Sequence, residues 1–284
     1  MTAGRKRLRV SAFAKINLDL RVLGRRPDGY HELRTTFQSI ALADTLTFTR
    51  NTGAFRIVCN DPACPTDKSN LVWRAAALVW NAARRRGAPT GVTVRIDKRV
   101  PVQAGLGGGS SDAAAALRAL AKWWRVKIAA DGLRRLASAI GADVPYFLEG
   151  GTALGLSRGD VLVPLDDIAR TWVVLVVPGF GVSTKQAFVW WDREHLGQEG
   201  QEGRETANDL EPVVARRHPI VRRLTRELKR EGASHASLSG SGSAVFGLFA
   251  SRAAAERAAA AFEGHHVVVT RTLSRRECGK LAAN

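Results

Sequence analysis

What the chain lacks narrows it first. No apolar run approaches the ~18 residues needed to cross a bilayer. The run WVVLVV (172–177) has the length of a buried strand instead. The basic start MTAGRKRLRV leads only into SAFA before Lys15 interrupts, too short for a signal-peptide core. Membrane insertion and secretion are disfavoured, and a cytoplasmic protein is expected. Cysteine is scarce and odd in number: Cys59, Cys64 and Cys278 make no disulfide framework and suit a reducing compartment. Cys59 and Cys64 stand five apart with no histidine nearby, so they read as ordinary thiols, not metal ligands. Acidic residues are also few, 26 against 43 Lys and Arg, for a net charge of +17. That balance favours anionic partners such as phosphorylated metabolites or nucleic acid. The basic residues come mostly as short arginine clusters, Arg84 to Arg86 or Arg222 with Arg223, at helix ends and on polar helix faces. There they need no partner.

Hydrophobic residues at 45% and charged residues at 24% are ordinary for a folded globule. With 284 residues, one large or two medium domains are expected. A division near residue 165 gives two halves, 1–165 and 166–284, that both mix α and β. From Ile16 to Val22 apolar and polar residues alternate, as in a half-buried strand with Lys15 and Asn17 sharing its polar face. A Pro-Asp-Gly turn follows, then short alternating pieces at 45–49 and 55–59, so the opening is β-rich and antiparallel. Ser69 or Asn70 can cap a helix whose Trp73, Ala76, Ala77 and Trp80 form one stripe and which runs to Arg84 to Arg86 and Gly87. Further helices are expected from about 112, 131, 218 and 252, and strands at 92–96, 172–177 and near 266. Residues 192–206 lack periodicity and read as a loop.

The segment PVQAGLGGGSSDAAAALRAL (101–120) carries the chemistry. Gly105, Gly107, Gly108 and Gly109 let main-chain N–H groups approach a ligand. Ser110 and Ser111 can cap the alanine-rich helix that follows, and a helix start presents free donors and a positive dipole end. Together these form a cradle for nucleotide phosphates. No lysine follows the glycines as a Walker loop requires, and the sixth position from Gly105 is Ser110, not the glycine of a dinucleotide fingerprint.

This glycine-serine segment resembles the phosphate loop of the GHMP kinases. AFAKINLDLRVLGRRPDGYHEL (12–33), AIGADVPYFLEGG (139–151) and SLSGSGSAVFGLF (237–249) are similar to further motifs of that family, in its order and across nearly the whole chain. The first two are most similar to the branch whose acceptor carries cytidine diphosphate. The resemblance implies an α+β fold of two domains with the active site in the cleft between them, and ATP as phosphoryl donor with Mg²⁺ accompanying it. The implied acceptor is the tertiary 2-hydroxyl of 4-diphosphocytidyl-2-C-methylerythritol, in the non-mevalonate route to isoprenoid precursors. Lys15 and Asp143 correspond to the catalytic pair: Asp143 takes the hydroxyl proton, and Lys15 neutralises the developing alkoxide. Pro101, Val102, Gln103, Ala104, Gly105, Leu106, Gly107, Gly108, Gly109, Ser110 and Ser111 correspond to the ATP loop, with Asn70 and Lys98 near the adenine. Tyr30 and His31 correspond to the turn that stacks on cytosine and reads its edge, with Asn17 and Phe37 shaping that pocket and Phe188 on the other face of the ring. No residue stands out firmly as a Mg²⁺ ligand, although Ser110, Ser111 and Asp112 lie near the right place. Two departures are Phe13, where the family has proline, and Gln103, where a small residue is usual. Partners are otherwise expected to be small molecules, not nucleic acid or membrane, with the chain a monomer or homodimer.

Residue by residue, other readings stay open. Lys15 can be a solvated strand lysine, Asp143 a cap for the turn after it, and Tyr30 and Phe188 ordinary surface or core aromatics. At the level of the chain, a homoserine- or mevalonate-type kinase, or an RNA-binding protein, remains an alternative.

Overall fold

A computed structural model of the chain describes residues 7–195 and 206–282. Strands β1 (Arg7–Arg25) and β2 (His31–Ala54) form one long antiparallel hairpin, closed by the expected Pro-Asp-Gly turn with Gly29 at φ +83°. Next come β3 (Arg56–Cys59), α1 (Leu71–Ala82), β4 (Thr90–Asp97), α2 (Gly108–Trp124), α3 (Ala130–Ile140), α4 (Tyr146–Glu149), β5 (Thr152–Ser157) and β6 (Val161–Pro164). The far half of β2 pairs with β4 and its near half with β5, so a single strand links both ends of the sheet, in order β3-β4-β2-β5-β6 with β1 on β2. The rest of the chain adds β7 (Trp172–Val177), α5 (Thr184–His195), α6 (Leu210–Arg217), α7 (Ile220–Arg230), β8 (His235–Leu238), β9 (Val245–Phe249), α8 (Arg252–Ala260), β10 (His266–Arg271) and α9 (Arg275–Leu281). Its four strands make a second antiparallel sheet, β10-β7-β9-β8.

The cores of the two halves interlock. Leu46 and Phe48 of the hairpin pack under α1 and α2, whereas Leu20 and Val22 join Val174, Leu210 and Leu238 of the second half. Between them Ala14, Ile16 and Ile40 pack with Leu106, Leu175 and Phe246. The hairpin is therefore the element that joins the two sheets. Residues 206–209 lie along it, with Leu20 N–H donating to Ala207 O (2.9 Å) and Val22 N–H donating to Asp209 Oδ2 (2.8 Å).

Several expectations shift. The face of β1 bearing Lys15 and Asn17 is not wet: Ala14, Lys15, Ile16 and Asn17 are all buried. Register shifts between Phe13 and Lys15 and between Asn17 and Asp19 bracket this stretch, as bulges do where a strand re-aims its side chains. Helix α1 is capped by Asn70, but it buries Val72, Ala75, Ala76 and Val79, because small residues let α2 approach closely. Trp73 sits at the margin under Lys68, and the helix stops before Arg84, which takes a left-handed φ of +55°. Ser110 and Ser111 are not caps, since α2 starts three residues before Ser111, with Gly107 as N-cap. The stretch expected as a loop from 192 begins as the last turn of α5, and residues 196–205 lie outside the described residues. The charge goes largely where the clusters suggested: Arg222, Arg223, Arg226, Lys229 and Arg230 lie on the exposed face of α7.

Candidate active site

A cleft of about 1020 Å³ opens between the hairpin, the 101–110 loop, the start of α5 and the 240–241 loop. Its floor is Lys15. The ammonium is 3% exposed and donates to Asn17 Oδ1 (2.5 Å) and Gly105 O (2.7 Å). An ammonium has three donors. The remaining one has Asp143 Oδ2 at 3.9 Å. Burial pulls the Lys15 pKa below its ordinary 10.5, and Asp143 opposes that shift. Asn17 is positioned in turn: its Nδ2 donates to Thr35 Oγ1 (2.7 Å), which donates to Asp19 O (2.6 Å). Asp143 is 37% exposed and does not cap α4, whose N-cap is Pro145. Lys15 is the partner found for its carboxylate among the described residues, so the oxygens stay open to the cleft.

Above this pair the glycine loop turns into α2. Gly105 has φ +77°, and a Cβ there would fall 2.0 Å from Ser239 O; one at Gly107 (φ +70°) would meet the Phe147 ring at 2.6 Å. A side chain at Gly105 would push the two loops apart, whereas one at Gly107 would displace the Phe147 ring and strain a left-handed backbone. The loop of the second half, around Ser239 to Gly242, closes against it: Ser239 Oγ donates to Gly105 O (3.0 Å), and Ala244 N–H donates to Ala104 O (3.1 Å). Within α2, the amide of Ser111 donates to Gly107 O (2.9 Å), so those of Gly108, Gly109 and Ser110 face the cleft ahead of the first helical bond. Ser111 leaves the group. Its hydroxyl donates to Phe13 O (2.7 Å), and its side chain lies outside the cleft.

Asn70 and Lys98 line the cleft, but their polar atoms are engaged elsewhere. Asn70 Oδ1 accepts from Val72 N–H (2.8 Å), and its Nδ2 donates to Pro65 O (2.5 Å). Lys98 Nζ is clasped by Asp44 (2.5 Å) and Asp112 (3.0 Å), all three nearly inaccessible beneath the loop. Burial alone would lower the Lys98 pKa, but the two carboxylates outweigh it and raise it. Burial and the neighbouring Asp44 push Asp112 up to about 7 against the pull of Lys98. Asp112 Oδ1 has no hydrogen-bond partner.

At the other end stand Tyr30, 55% exposed, and Phe188 of α5, with His31 behind it. Phe37 is buried beneath, its ring tilted on Tyr146 and 5.7 Å from the Lys15 ammonium. The remaining loop residues Pro101, Val102, Gln103, Ala104 and Leu106 line the wall, and Gln103 takes a left-handed φ of +55°. The cleft also contains Arg158 and Asp192, which sequence reasoning missed. Asp192 lies four residues after Phe188, a spacing that puts both on one helix face; nothing local marks Arg158.

Residues 70–151 match the model of the GHMP kinases N-terminal domain, and residues 193–267 match that of the GHMP kinases C-terminal domain. The 4-diphosphocytidyl-2-C-methyl-D-erythritol kinase of Moorella thermoacetica is 41% identical over 94% of this chain and 99% of its own. A crystal structure of 4-(cytidine 5'-diphospho)-2C-methyl-D-erythritol kinase superposes with a TM-score of 0.78 at 34% identity, covering 93% of this chain and 99% of that one. Homoserine kinase from Cytophaga hutchinsonii shares the fold at 17% identity, with a TM-score of 0.67 over 96% of each chain. One fold is thus shared by proteins named for different acceptors. On identity and coverage together, the chain belongs to the 4-diphosphocytidyl-2-C-methyl-D-erythritol kinase family of GHMP kinases.

Proposed function

We propose that this cleft transfers the γ-phosphoryl group of ATP to the 2-hydroxyl of 4-diphosphocytidyl-2-C-methyl-D-erythritol. The observation that carries the reading is the single cleft holding a buried ammonium 3.9 Å from an open carboxylate, with the glycine loop at one end and the Tyr30–Phe188 pair at the other. The amides of Gly108, Gly109 and Ser110 and the positive end of α2 hold the phosphates. Asp143 takes the proton of the acceptor hydroxyl as its oxygen attacks the γ-phosphorus, and the bond to the β,γ-bridging oxygen breaks to release ADP. Lys15 stabilises the negative charge on the oxygens in flight. Asn17 fixes the Lys15 ammonium instead of touching the base. Tyr30 and Phe188 stack on cytosine, where stacking is worth ~1–3 kcal/mol per base.

The unpartnered Asp112 Oδ1 at the start of α2 fits a Mg²⁺ ion carried on the phosphates, and Ser110 with Asp112 would hold it, directly or through water. Such an ion would neutralise phosphate charge. Among the described residues no group of three His, Cys, Asp or Glu is placed to cage a metal ion. No described helix is long and apolar enough to cross a membrane. We read the chain as two domains divided near residue 165, working on small molecules in the cytoplasm as a monomer or homodimer, without nucleic acid.

A coupled ADP-release assay tests the reading. The cytidylated methylerythritol is expected to be turned over, with mevalonate and homoserine at background. Turnover of either of those at a comparable kcat/KM would refute it.

A further inference from the structure

The two aromatic plates at the acceptor end each have one face already covered. The Arg158 guanidinium lies over the Tyr30 ring, 5.0 Å from its centroid, and is held by Asp160 (2.5 Å). Phe188 is stacked on the His31 imidazole, with centroids 4.5 Å apart and planes 14° from parallel. The edge of that imidazole is pinned by Asp192 Oδ1 at 2.6 Å from Nε2, and Trp191 meets it edge-on at 5.7 Å. An ionised carboxylate only accepts, so His31 donates from Nε2. One turn of α5 therefore supplies both a plate and the anchor of the ring behind it.

The turns that hold this arrangement are also joined. Arg26, at the head of the β1–β2 turn, donates to Glu32 (2.6 Å) and to Ser157 Oγ (2.8 Å), the residue before Arg158. The turn bearing Tyr30 and the turn bearing Arg158 are thus tied to one another, although 131 residues separate Arg26 from Ser157.

We propose that Arg158 and Asp192 are positioning residues that preset the nucleobase slot. Arg158 backs Tyr30, and Asp192, acting through His31, backs Phe188. With the base between Tyr30 and Phe188, as the cytidine reading has it, the layer order becomes Arg158, Tyr30, base, Phe188, His31. A cation on the back of Tyr30 holds a half-exposed ring in place before the ligand arrives, which lowers the ordering cost of binding. The slot suits the pyrimidine ring of a nucleoside diphosphate. This inference rests on the cytidine reading given above and adds the residues that build the site.

The test compares inhibition by CMP and the steady-state constants in the wild type, Arg158→Ala, Arg158→Lys and Asp192→Ala. In Arg158→Ala and Asp192→Ala the Ki for CMP and the KM for the cytidylated acceptor are expected to rise about tenfold, as loss of one cation–π or ring-fixing contact predicts. Their kcat and their KM for ATP should stay within about twofold of wild type. Arg158→Lys should recover part of the affinity, because an ammonium can also sit over the ring. If CMP fails to compete in the wild type, the cytidine reading itself falls, and the proposal with it. If CMP competes in the wild type and binds both variants equally well, only the proposal is overturned. A parallel loss of kcat and ATP affinity would also overturn it, as the mark of a general structural role.

Discussion

Asp143→Asn should lower kcat about 10²–10⁴-fold, the range lost when a general base is removed, while the KM for ATP changes by less than about threefold. The geometry makes this substitution unusually clean. Asp143 is more than a third exposed, caps no helix, and has Lys15 3.9 Å away as its partner. The amide keeps the shape and removes only the proton acceptor, and the amides of Gly108, Gly109 and Ser110, proposed above to hold the phosphates, are not touched. Lys15 gives the same account a pH signature. Its protonated form is present at low pH and is lost as pH rises through a pKa that burial holds below 10.5. The alkaline limb of the kcat profile should therefore fall at lower pH than an ordinary lysine would give. Measured ADP release across pH checks both; Asp143→Asn turning over at near the wild-type rate would remove Asp143 from its role.

Lys98→Met should be the most destabilising single change in the cleft, costing about 3–5 kcal/mol, the penalty for stripping one partner from a buried ion cluster. Lys98 is the cation between Asp44 and Asp112, both buried, and Asp44 also accepts from the amides of Arg99 (2.6 Å) and Val100 (2.9 Å). Without the ammonium, two carboxylates face each other beneath the glycine loop. The loss should shrink on acidification. Asp112, already raised to about 7 in the native protein by burial, should rise further once Lys98 no longer pulls it down. A carboxyl with a raised native pKa stabilises the fold below its unfolded value of 3.8 and loses that contribution as pH rises through the native value. Denaturant titrations at about pH 5 and pH 8 read the difference. A variant as stable as wild type at both would show that Lys98 is not what holds the acids together.

Much of this site could be read from the sequence, for identifiable reasons. Alternation from Ile16 to Val22 placed Lys15 and Asn17 on one face, and the glycines at 105–109 marked a loop that lines the cleft, because both signals are local. Asn70 was legible as a helix cap, and capping is what occupies its side chain. What was not legible came from far along the chain. The polar face of β1 reads as solvated until residues 206–209 and the 239–242 loop pack against it. The serine-cap rule placed the start of α2 too late, because Gly107 makes the left-handed entry itself and the first amides face the cleft. Arg158 and Asp192 reach Tyr30 and His31 only through tertiary folding, so no spacing rule finds the pairings.

The most direct measurement is a crystal structure with a non-hydrolysable ATP analogue and the cytidylated acceptor bound. The account predicts the triphosphate on the amides of Gly108, Gly109 and Ser110, and the acceptor 2-hydroxyl between the γ-phosphorus and the Asp143 carboxylate, with Lys15 beside both. A triphosphate bound away from that loop, or an acceptor hydroxyl out of reach of Asp143, would contradict it.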